Sequence, residues 1–145
     1  MTHKHSLTGA WCLLSWTITY PDNRPPTQPF GNNPEGLLVY TESGWMSGAI
    51  FDPQKQPQLQ KGTGVRNQSD ALLAQTYRSY FHYAGPYRID GDTVFHTVTQ
   101  SLNPNLVGSI QERHIQREGD QLSLSGKETI AGIERTHTLI WTLNL

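Results

Sequence analysis

The fold is decided by one stretch that contains a strand, a turn and a strand: Tyr87-Arg88-Ile89-Asp90-Gly91-Asp92-Thr93-Val94-Phe95-His96. Gly91 and Asp92 suit a two-residue hairpin turn, because they tolerate the positive backbone angles that such turns need. With that turn Tyr87 pairs with His96, whereas a three-residue turn breaks up the apolar face. The stretch therefore predicts a hairpin whose inner face carries Tyr87, Ile89, Val94, His96, Val98 and Gln100.

A second hairpin is predicted around Gly119-Asp120 by the same argument. If these two residues form the turn, Arg117 pairs with Leu122, and alternate residues of both strands share a face. That face is predicted to point inward, and it carries Gln111, Arg113, Ile115, Leu122 and Leu124.

The sequence does not decide which face of the first hairpin, residues 37–41 with Trp45–Phe51, points inward. A turn at Ser43-Gly44 places one set of side chains together: Leu37, Val39, Thr41, Met46, Gly48 and Ile50. The opposite face carries Leu38, Tyr40, Trp45, Ser47, Ala49 and Phe51. The first set is more apolar, but the second contains the better ligand-binding groups.

The remaining sequence continues this pattern of short strands and turns. Proline-rich residues 21–34 predict a long loop, because proline cannot donate to a strand ladder. Strands joined in sequence by hairpins favour an eight-stranded antiparallel up-and-down barrel, since closure removes exposed edges and leaves room for one small ligand. Besides Trp45–Phe51, strands are predicted over residues 10–20, 37–41, 87–90, 93–102, 107–117, 121–125 and 134–143.

One mid-chain helix is predicted over residues 70–84. Apolar and aromatic side chains recur there at three- and four-residue spacing, and Gly85-Pro86 ends the pattern. The predicted helix carries several aromatic residues, including Tyr83. It would serve as a plug in one mouth of the barrel or as an aromatic lid over a ligand.

Composition limits the function classes. The chain has 145 residues, a mass of 16.3 kDa and a net charge of −1, which together predict one domain with no general affinity for nucleic acid or membranes. Its single cysteine, Cys12, cannot form an internal disulfide, and residues 1–7 resemble a flexible tail without a signal-peptide core. A cytoplasmic location is expected, and the oligomeric state stays open between monomer and homodimer.

The sequence contains no convincing metal or cofactor motif. His3-Lys4-His5 lies at the chain terminus, and Gly62-Thr63-Gly64 lacks the rest of a phosphate-binding loop. No metal and no cofactor are therefore expected. Acid–base or electrostatic catalysis remains, with His96 moving a proton and Arg113, Tyr83 or Tyr87 stabilising negative charge.

An ordered set of motifs resembles a known family. The set comprises Gly9-Ala10-Trp11, Pro29-Phe30-Gly31, Gly36-Leu37-Leu38-Val39-Tyr40-Thr41, Gly44-Trp45-Met46-Ser47, Tyr83-Ala84-Gly85-Pro86-Tyr87, the stretch around His96, Ser101-Leu102-Asn103-Pro104-Asn105, Gly108 to Arg113, and Gly119-Asp120. Together these motifs resemble the small single-domain lipocalin-like proteins of bacteria and fungi. The resemblance implies a calycin-type barrel with an internal cavity. The motif positions most able to act on a ligand are Tyr40, Tyr87, His96, Asn105, Gln111 and Arg113.

Three functional hypotheses follow. The leading one is binding of a small, largely apolar organic molecule, with His96, Tyr87, Gln111 and Arg113 as polar anchors. The second is a cofactor-independent isomerase or cyclase that acts on a biosynthetic intermediate in the same cavity. The third is a non-enzymatic interaction module whose barrel is filled by side chains. The third predicts no cavity, whereas the first two require roughly 300 Å³ or more.

Overall fold

A computed structural model of the chain, which describes residues 6–144, shows a closed antiparallel barrel of eight strands. The sheet order is β3-β2-β1-β9-β8-β7-β5-β4-β6, and pairing of β3 with β4 closes the barrel, which leaves the short β6 outside it. The predicted fold class is confirmed. The strands are β1 (Gly9–Thr19), β2 (Glu35–Tyr40), β3 (Trp45–Phe51), β4 (Tyr80–Asp90), β5 (Thr93–Thr97), β6 (Gln100–Ser101), β7 (Ile110–Glu118), β8 (Gln121–Ile130) and β9 (Ile133–Asn144).

Two predicted hairpin registers are confirmed. Tyr87 pairs with His96 across β4 and β5, and Arg117 pairs with Leu122 across β7 and β8. The alternate residues of β5, β7 and β8 do point inward, where Val94, Ile115 and Leu122 are almost completely buried. Gln100, predicted on the same face, is exposed because β5 ends at Thr97.

The first hairpin adopts neither of the two proposed faces. Tyr40 pairs with Met46, and the amide of Thr41 donates to the carbonyl of Trp45, so three residues form the turn. Gly44 in that turn has a φ of 96°, which a residue with a side chain rarely adopts. An odd number of turn residues shifts the pairing by one position. The inner face therefore mixes both sets and carries Leu38, Tyr40, Met46, Gly48 and Ile50.

The helix is shorter than predicted. Helix α1 (Asp70–Arg78) begins at Ser69, whose hydroxyl accepts from the amide of Leu72, and residues 80–84 belong to β4. Aromatic side chains also suit strands, and pairing along the whole of β3 gives β4 a complete hydrogen-bond ladder. Gly85 therefore ends no helix. It is required because a Cβ there would collide with the carbonyl oxygen of Thr97.

Other strand boundaries also differ from the prediction. The segment 93–102 divides into β5 and β6, and a short 3-10 helix (Pro104–Leu106) separates β6 from β7. Strand β8 extends five residues beyond the predicted end at 125, because it pairs with β9 along its full length to Ile130.

One end of the barrel is closed by a packed apolar core. Leu7 is only 1% exposed, and its carbonyl accepts a hydrogen bond of 2.9 Å from Nε1 of Trp11. A buried indole N–H needs an acceptor, and the Leu7 carbonyl provides it for Trp11. Leu7 is therefore part of the core and not of a flexible tail. Residues 1–5, including His3 and His5, lie outside the described residues.

The opposite end carries the long connections 20–34, 52–79 and 98–109. Here β7 and β8 separate, because Ile110 to Arg113 pair with β5 and not with β8. The half-buried Cys12 is a free thiol on β1. No helix within residues 6–144 has the length and apolar character needed to cross a membrane.

Candidate functional site

The barrel encloses a cavity of about 650 Å³. Its walls are mainly apolar, and a few polar side chains interrupt them. This volume contradicts the hypothesis of a barrel filled by its own side chains, because it exceeds the roughly 300 Å³ at which ligand pockets begin. Four predicted site residues line the cavity, namely Tyr83, His96, Gln111 and Arg113.

His96 lies between two tyrosines on the cavity wall. The hydroxyl of Tyr40 is 2.6 Å from Nε2 of His96, and the hydroxyl of Tyr83 is 2.6 Å from Nδ1. The three residues come from β2, β4 and β5, so the cluster exists only when the barrel is closed. Both ring nitrogens of His96 are thus hydrogen-bonded to protein side chains.

Burial keeps His96 neutral. Desolvation, and then the positive charge of Arg113, lower the pKa of His96 to about 3. Burial likewise raises the pKa of Tyr40 and of Tyr83, so both hydroxyls stay protonated, although Arg113 opposes the rise. A neutral imidazole has one N–H donor and one acceptor nitrogen.

The number of available protons assigns these hydrogen bonds. Two hydroxyls and one imidazole N–H offer three protons, but only two contacts use them. Tyr40 is fully buried, and its hydroxyl makes no second hydrogen bond in the part of the chain that the structure describes. Tyr40 therefore donates to Nε2, His96 donates from Nδ1 to Tyr83, and the hydroxyl proton of Tyr83 is left for a group in the cavity.

Three other predicted residues, Tyr40, Tyr87 and Asn105, do not line the cavity. The ring of Tyr87 packs edge-on against that of Tyr40, with 4.8 Å between the ring centroids. The Tyr87 hydroxyl donates to the carbonyl of Thr41. Tyr87 therefore supports Tyr40 from behind. Asn105 is exposed on the 3-10 helix, where its backbone N–H donates to Oδ1 of Asn103. Asn103 lines the cavity in place of Asn105.

Arg113 and Gln111 lie on the inner face of β7. The Arg113 side chain crosses over Gly126 of β8, where an added Cβ would lie 2.6 Å from Nη1. Nη1 donates to the carbonyl of Glu112, and no carboxylate forms an ion pair with Arg113 within residues 6–144. Gln111 donates from Nε2 to the hydroxyl of Ser109 at 2.8 Å.

Comparison with known proteins agrees with the barrel fold. The model of the lipocalin-like domain family matches residues 8–143, which is nearly the whole chain. The chain belongs to the lipocalin-like domain family. The chain is 35% identical over 83 residues to a curated protein, the 4'-hydroxy-3'-methoxypropiophenone carrier protein ppsC of Aspergillus oryzae (strain ATCC 42149 / RIB 40). The match covers 50% of this chain and 75% of that protein.

A charged cluster at the open mouth of this lipocalin-like barrel is absent from the sequence-based site. Oε1 of Glu128 accepts from Nε of Arg135 at 2.9 Å and from Nε2 of His137 at 2.8 Å. Nε1 of Trp16 donates to Nδ1 of His137, so His137 holds its proton on Nε2. Alternation with Leu139 already places Arg135 and His137 on the inner face. Glu128 was missed because the predicted strand ended at 125.

The balance of effects at Glu128 favours its charged form. Partial burial raises the pKa of Glu128, but the hydrogen bonds and charges of His137 and Arg135 lower it more, so the pKa is reduced overall. Glu128 thus remains ionised and holds two mouth side chains in fixed positions.

Trp141 of the lipocalin-like barrel lines the cavity and is 3% exposed. Its buried Nε1 has no hydrogen-bond partner among the described residues. The indole of Trp16 also lines the cavity. Two tryptophans can therefore report on cavity contents through their fluorescence.

Proposed function

We propose that this lipocalin-like protein binds a small, largely apolar organic molecule inside the barrel. The cavity of about 650 Å³, with apolar walls and few polar groups, carries the proposal. Tyr83, Gln111 and Arg113 act as polar anchors, and His96 acts through Tyr83, because both of its nitrogens are already engaged. The named ligand of the related carrier protein, an aromatic ketone with a phenol group, supplies the first compound to test.

The test is titration with 4'-hydroxy-3'-methoxypropiophenone while tryptophan fluorescence is recorded, since Trp16 and Trp141 line the cavity. Binding should also raise the thermal midpoint, because a ligand at 100 times its Kd adds about 2.7 kcal/mol to stability. Saturable quenching together with a raised midpoint supports the proposal.

A pair of neighbouring substitutions identifies the site of binding. Gly48 of β3 faces the cavity, and the adjacent Ala49 faces outward, opposite Leu37. Gly48→Leu should fill part of the cavity and weaken binding at least about 10-fold, because a side chain replaces space that the ligand occupies. Ala49→Leu adds similar bulk outside and should leave the Kd unchanged. Equal Kd values for both variants and the wild-type protein would place the compound elsewhere and overturn the proposal.

The same cavity supports a second candidate function, a cofactor-independent isomerase or cyclase. The observation that favours it is the hydrogen-bonded chain from Tyr40 through His96 to Tyr83, which leaves the hydroxyl proton of Tyr83 available to a group in the cavity. A hydroxyl in that position can donate to a carbonyl oxygen as negative charge develops on it. His96 is then a positioning residue.

Turnover distinguishes the two candidates. If the protein enolises a bound ketone, Tyr83 donates to the carbonyl oxygen while the proton on the adjacent carbon passes to solvent. Incubation in D₂O with 4'-hydroxy-3'-methoxypropiophenone should then introduce deuterium at that carbon faster than buffer does. Tyr83→Phe should abolish this exchange while the ligand still binds, and His96→Ala should reduce it. Exchange at the buffer rate with full binding would leave binding as the function and exclude this form of catalysis.

A cytoplasmic location remains a prediction for this protein, and its oligomeric state stays open between monomer and homodimer. Fractionation of the native host and light scattering of the purified chain test them directly.

A further inference from the structure

Cations outnumber anions on the cavity wall. Arg113, Lys127 and Arg135 line it, but Glu128 is its one carboxylate among the described residues. Glu128 pairs with Arg135, and Lys127, which is mostly exposed, lies 3.9 Å from Glu134. Arg113 is thus the cation of the wall that lacks a carboxylate partner within residues 6–144.

The charge of Arg113 acts inside the barrel. Arg113 pairs with the fully buried Val94 across β5 and β7, which places its side chain on the inner face. Its charge lowers the pKa of His96 and opposes the rise in the pKa of Tyr40 and Tyr83, so the guanidinium is within electrostatic range of all three groups. No carboxylate within residues 6–144 lies at ion-pair distance from this guanidinium, which donates instead to the carbonyl of Glu112.

The separation of β7 and β8 explains how the protein tolerates the charge. Arg113 and Gly126 also border an outer cleft of about 440 Å³ between these strands, so solvent reaches one side of the guanidinium. An inward side chain with an unpaired charge costs stability unless water or a counter-ion compensates it. Its position on both the cavity and the cleft allows water to compensate on one side and a ligand on the other.

We propose that Arg113 and Tyr83 together bind an ionised oxygen of the ligand, so the preferred ligands are apolar molecules that carry an acidic phenol, enol or carboxylic acid. The guanidinium has N–H donors besides the one bonded to Glu112, and Tyr83 has a free hydroxyl proton. Charge-assisted hydrogen bonds to an anionic oxygen are roughly twice as strong as neutral ones. This inference rests on the proposed function, because it assumes that the ligand occupies the barrel.

The test uses two acids and a neutral analogue of each. The phenol 4'-hydroxy-3'-methoxypropiophenone is compared with its methyl ether, 3',4'-dimethoxypropiophenone. The acid 4-propylbenzoate is compared with 4-propylbenzamide. Wild-type protein should bind at least one of the acids about 10-fold or more tightly than its neutral analogue, as expected for a charged hydrogen bond. The pair that shows the preference distinguishes a phenolate site from a carboxylate site.

A spectroscopic readout identifies the ionised form directly. At a pH about one unit below the pKa of the free phenol, the bound phenol should show the absorbance band of the phenolate, because Arg113 stabilises the anion. Arg113→Gln should abolish the band and the preference for acids while neutral analogues still bind. Tyr83→Phe should weaken the preference about 3- to 10-fold. Lys127→Gln removes a positive charge from the wall without removing this site and should change neither readout.

The outcomes separate the two proposals. Neutral analogues that bind as tightly as the acids, with no phenolate band, would overturn the anion site and leave the proposed binding function intact. A preference for acids that persists in Arg113→Gln would overturn the role of Arg113. Failure of all four compounds to bind would overturn the proposed function and this inference together.

Discussion

The hydroxyl of Tyr83 lies 2.6 Å from Nδ1 of His96, although the sequence predicts Tyr83 on a helix and His96 on a strand. The contact is possible because β4 begins at Tyr80, so that Tyr83 points inward from a strand next to β5. Together with Tyr40, it holds a neutral histidine in the cavity wall and leaves one hydroxyl proton for the ligand.

His96 should make the folded protein sensitive to acid. The pKa of His96 is lowered from 6.5 to about 3 in the folded state, so the unfolded chain takes up a proton first as the pH falls. The contribution of His96 to the free energy of unfolding should be fully present above pH 6.5. It should fall between there and about pH 3, with a limiting slope of roughly 1.4 kcal/mol per pH unit. Urea unfolding over this range measures it. His96→Gln should remove this contribution to the slope, whereas His114→Gln, on an exposed site of β7, should not. Identical pH profiles for wild type and His96→Gln would contradict the assignment.

Removal of the Tyr40 hydroxyl should destabilise the protein. Tyr40→Phe leaves Nε2 of His96 buried without its donor, and such a loss costs about 1–3 kcal/mol. The free energy of urea unfolding gives the effect. Tyr77→Phe is the matched control, because that exposed hydroxyl donates to the carbonyl of Leu102 at the surface and its loss should cost less than about 0.5 kcal/mol. Equal stability of both variants would show that Tyr40 does not donate to His96.

Gly85→Ala should disrupt the barrel wall. Its Cβ would collide with the carbonyl oxygen of Thr97, a backbone atom that cannot move without breaking neighbouring hydrogen bonds. We expect a loss of about 3 kcal/mol or more, at the upper end of overpacking costs. Gly64→Ala provides the control, since its Cβ would lie 3.7 Å from Nδ2 of Asn67. Thermal unfolding compares the two variants, and a Gly85→Ala midpoint equal to that of Gly64→Ala would refute the close approach.

Gly126→Ala should move Arg113 without removing its charge. The new Cβ would lie 2.6 Å from Nη1 and 2.9 Å from Cδ of Arg113, so this flexible side chain must shift. Stability should change by less than about 1 kcal/mol, because a long side chain can adapt. The preference for the acid over its neutral analogue should nevertheless weaken, which titration with the pair that shows the preference measures. Ser125→Ala, at the preceding residue of β8, is the control. An unchanged preference in Gly126→Ala would argue against a positioned guanidinium.

Local turn chemistry accounts for what could be predicted of the fold. Gly91-Asp92 and Gly119-Asp120 specify two registers, and these place His96, Gln111 and Arg113 on the inner face. The first hairpin could not be resolved, because Glu42-Ser43-Gly44 admits two turn lengths and one residue reverses the faces. Tyr83 was selected as part of an aromatic lid, so the residue was included on incorrect structural grounds.

The rest of the site depends on strands that are distant in sequence. Nothing local shows that β8 continues to Glu128, because the continuation depends on pairing with β9. The ion cluster of Glu128, Arg135 and His137 was therefore missed, although the predicted strand over residues 134–143 contains the last two. Asn105 was selected from its motif, but the 3-10 helix directs Asn103 to the cavity.

The sequence by itself determined an eight-stranded barrel, two of its hairpin registers and the inward position of His96 and Arg113, because turn preferences and two-residue alternation are local properties. Only the tertiary structure decided that the chain from 80 onward is a strand, that Tyr40 and Tyr83 share His96, and that Arg113 lacks a carboxylate partner among the described residues. Those features arise when β3 pairs with β4 and closes the barrel. Closure excludes water from the interior, and the resulting burial shifts the pKa values and makes an unpaired cation a feature that a ligand can recognise.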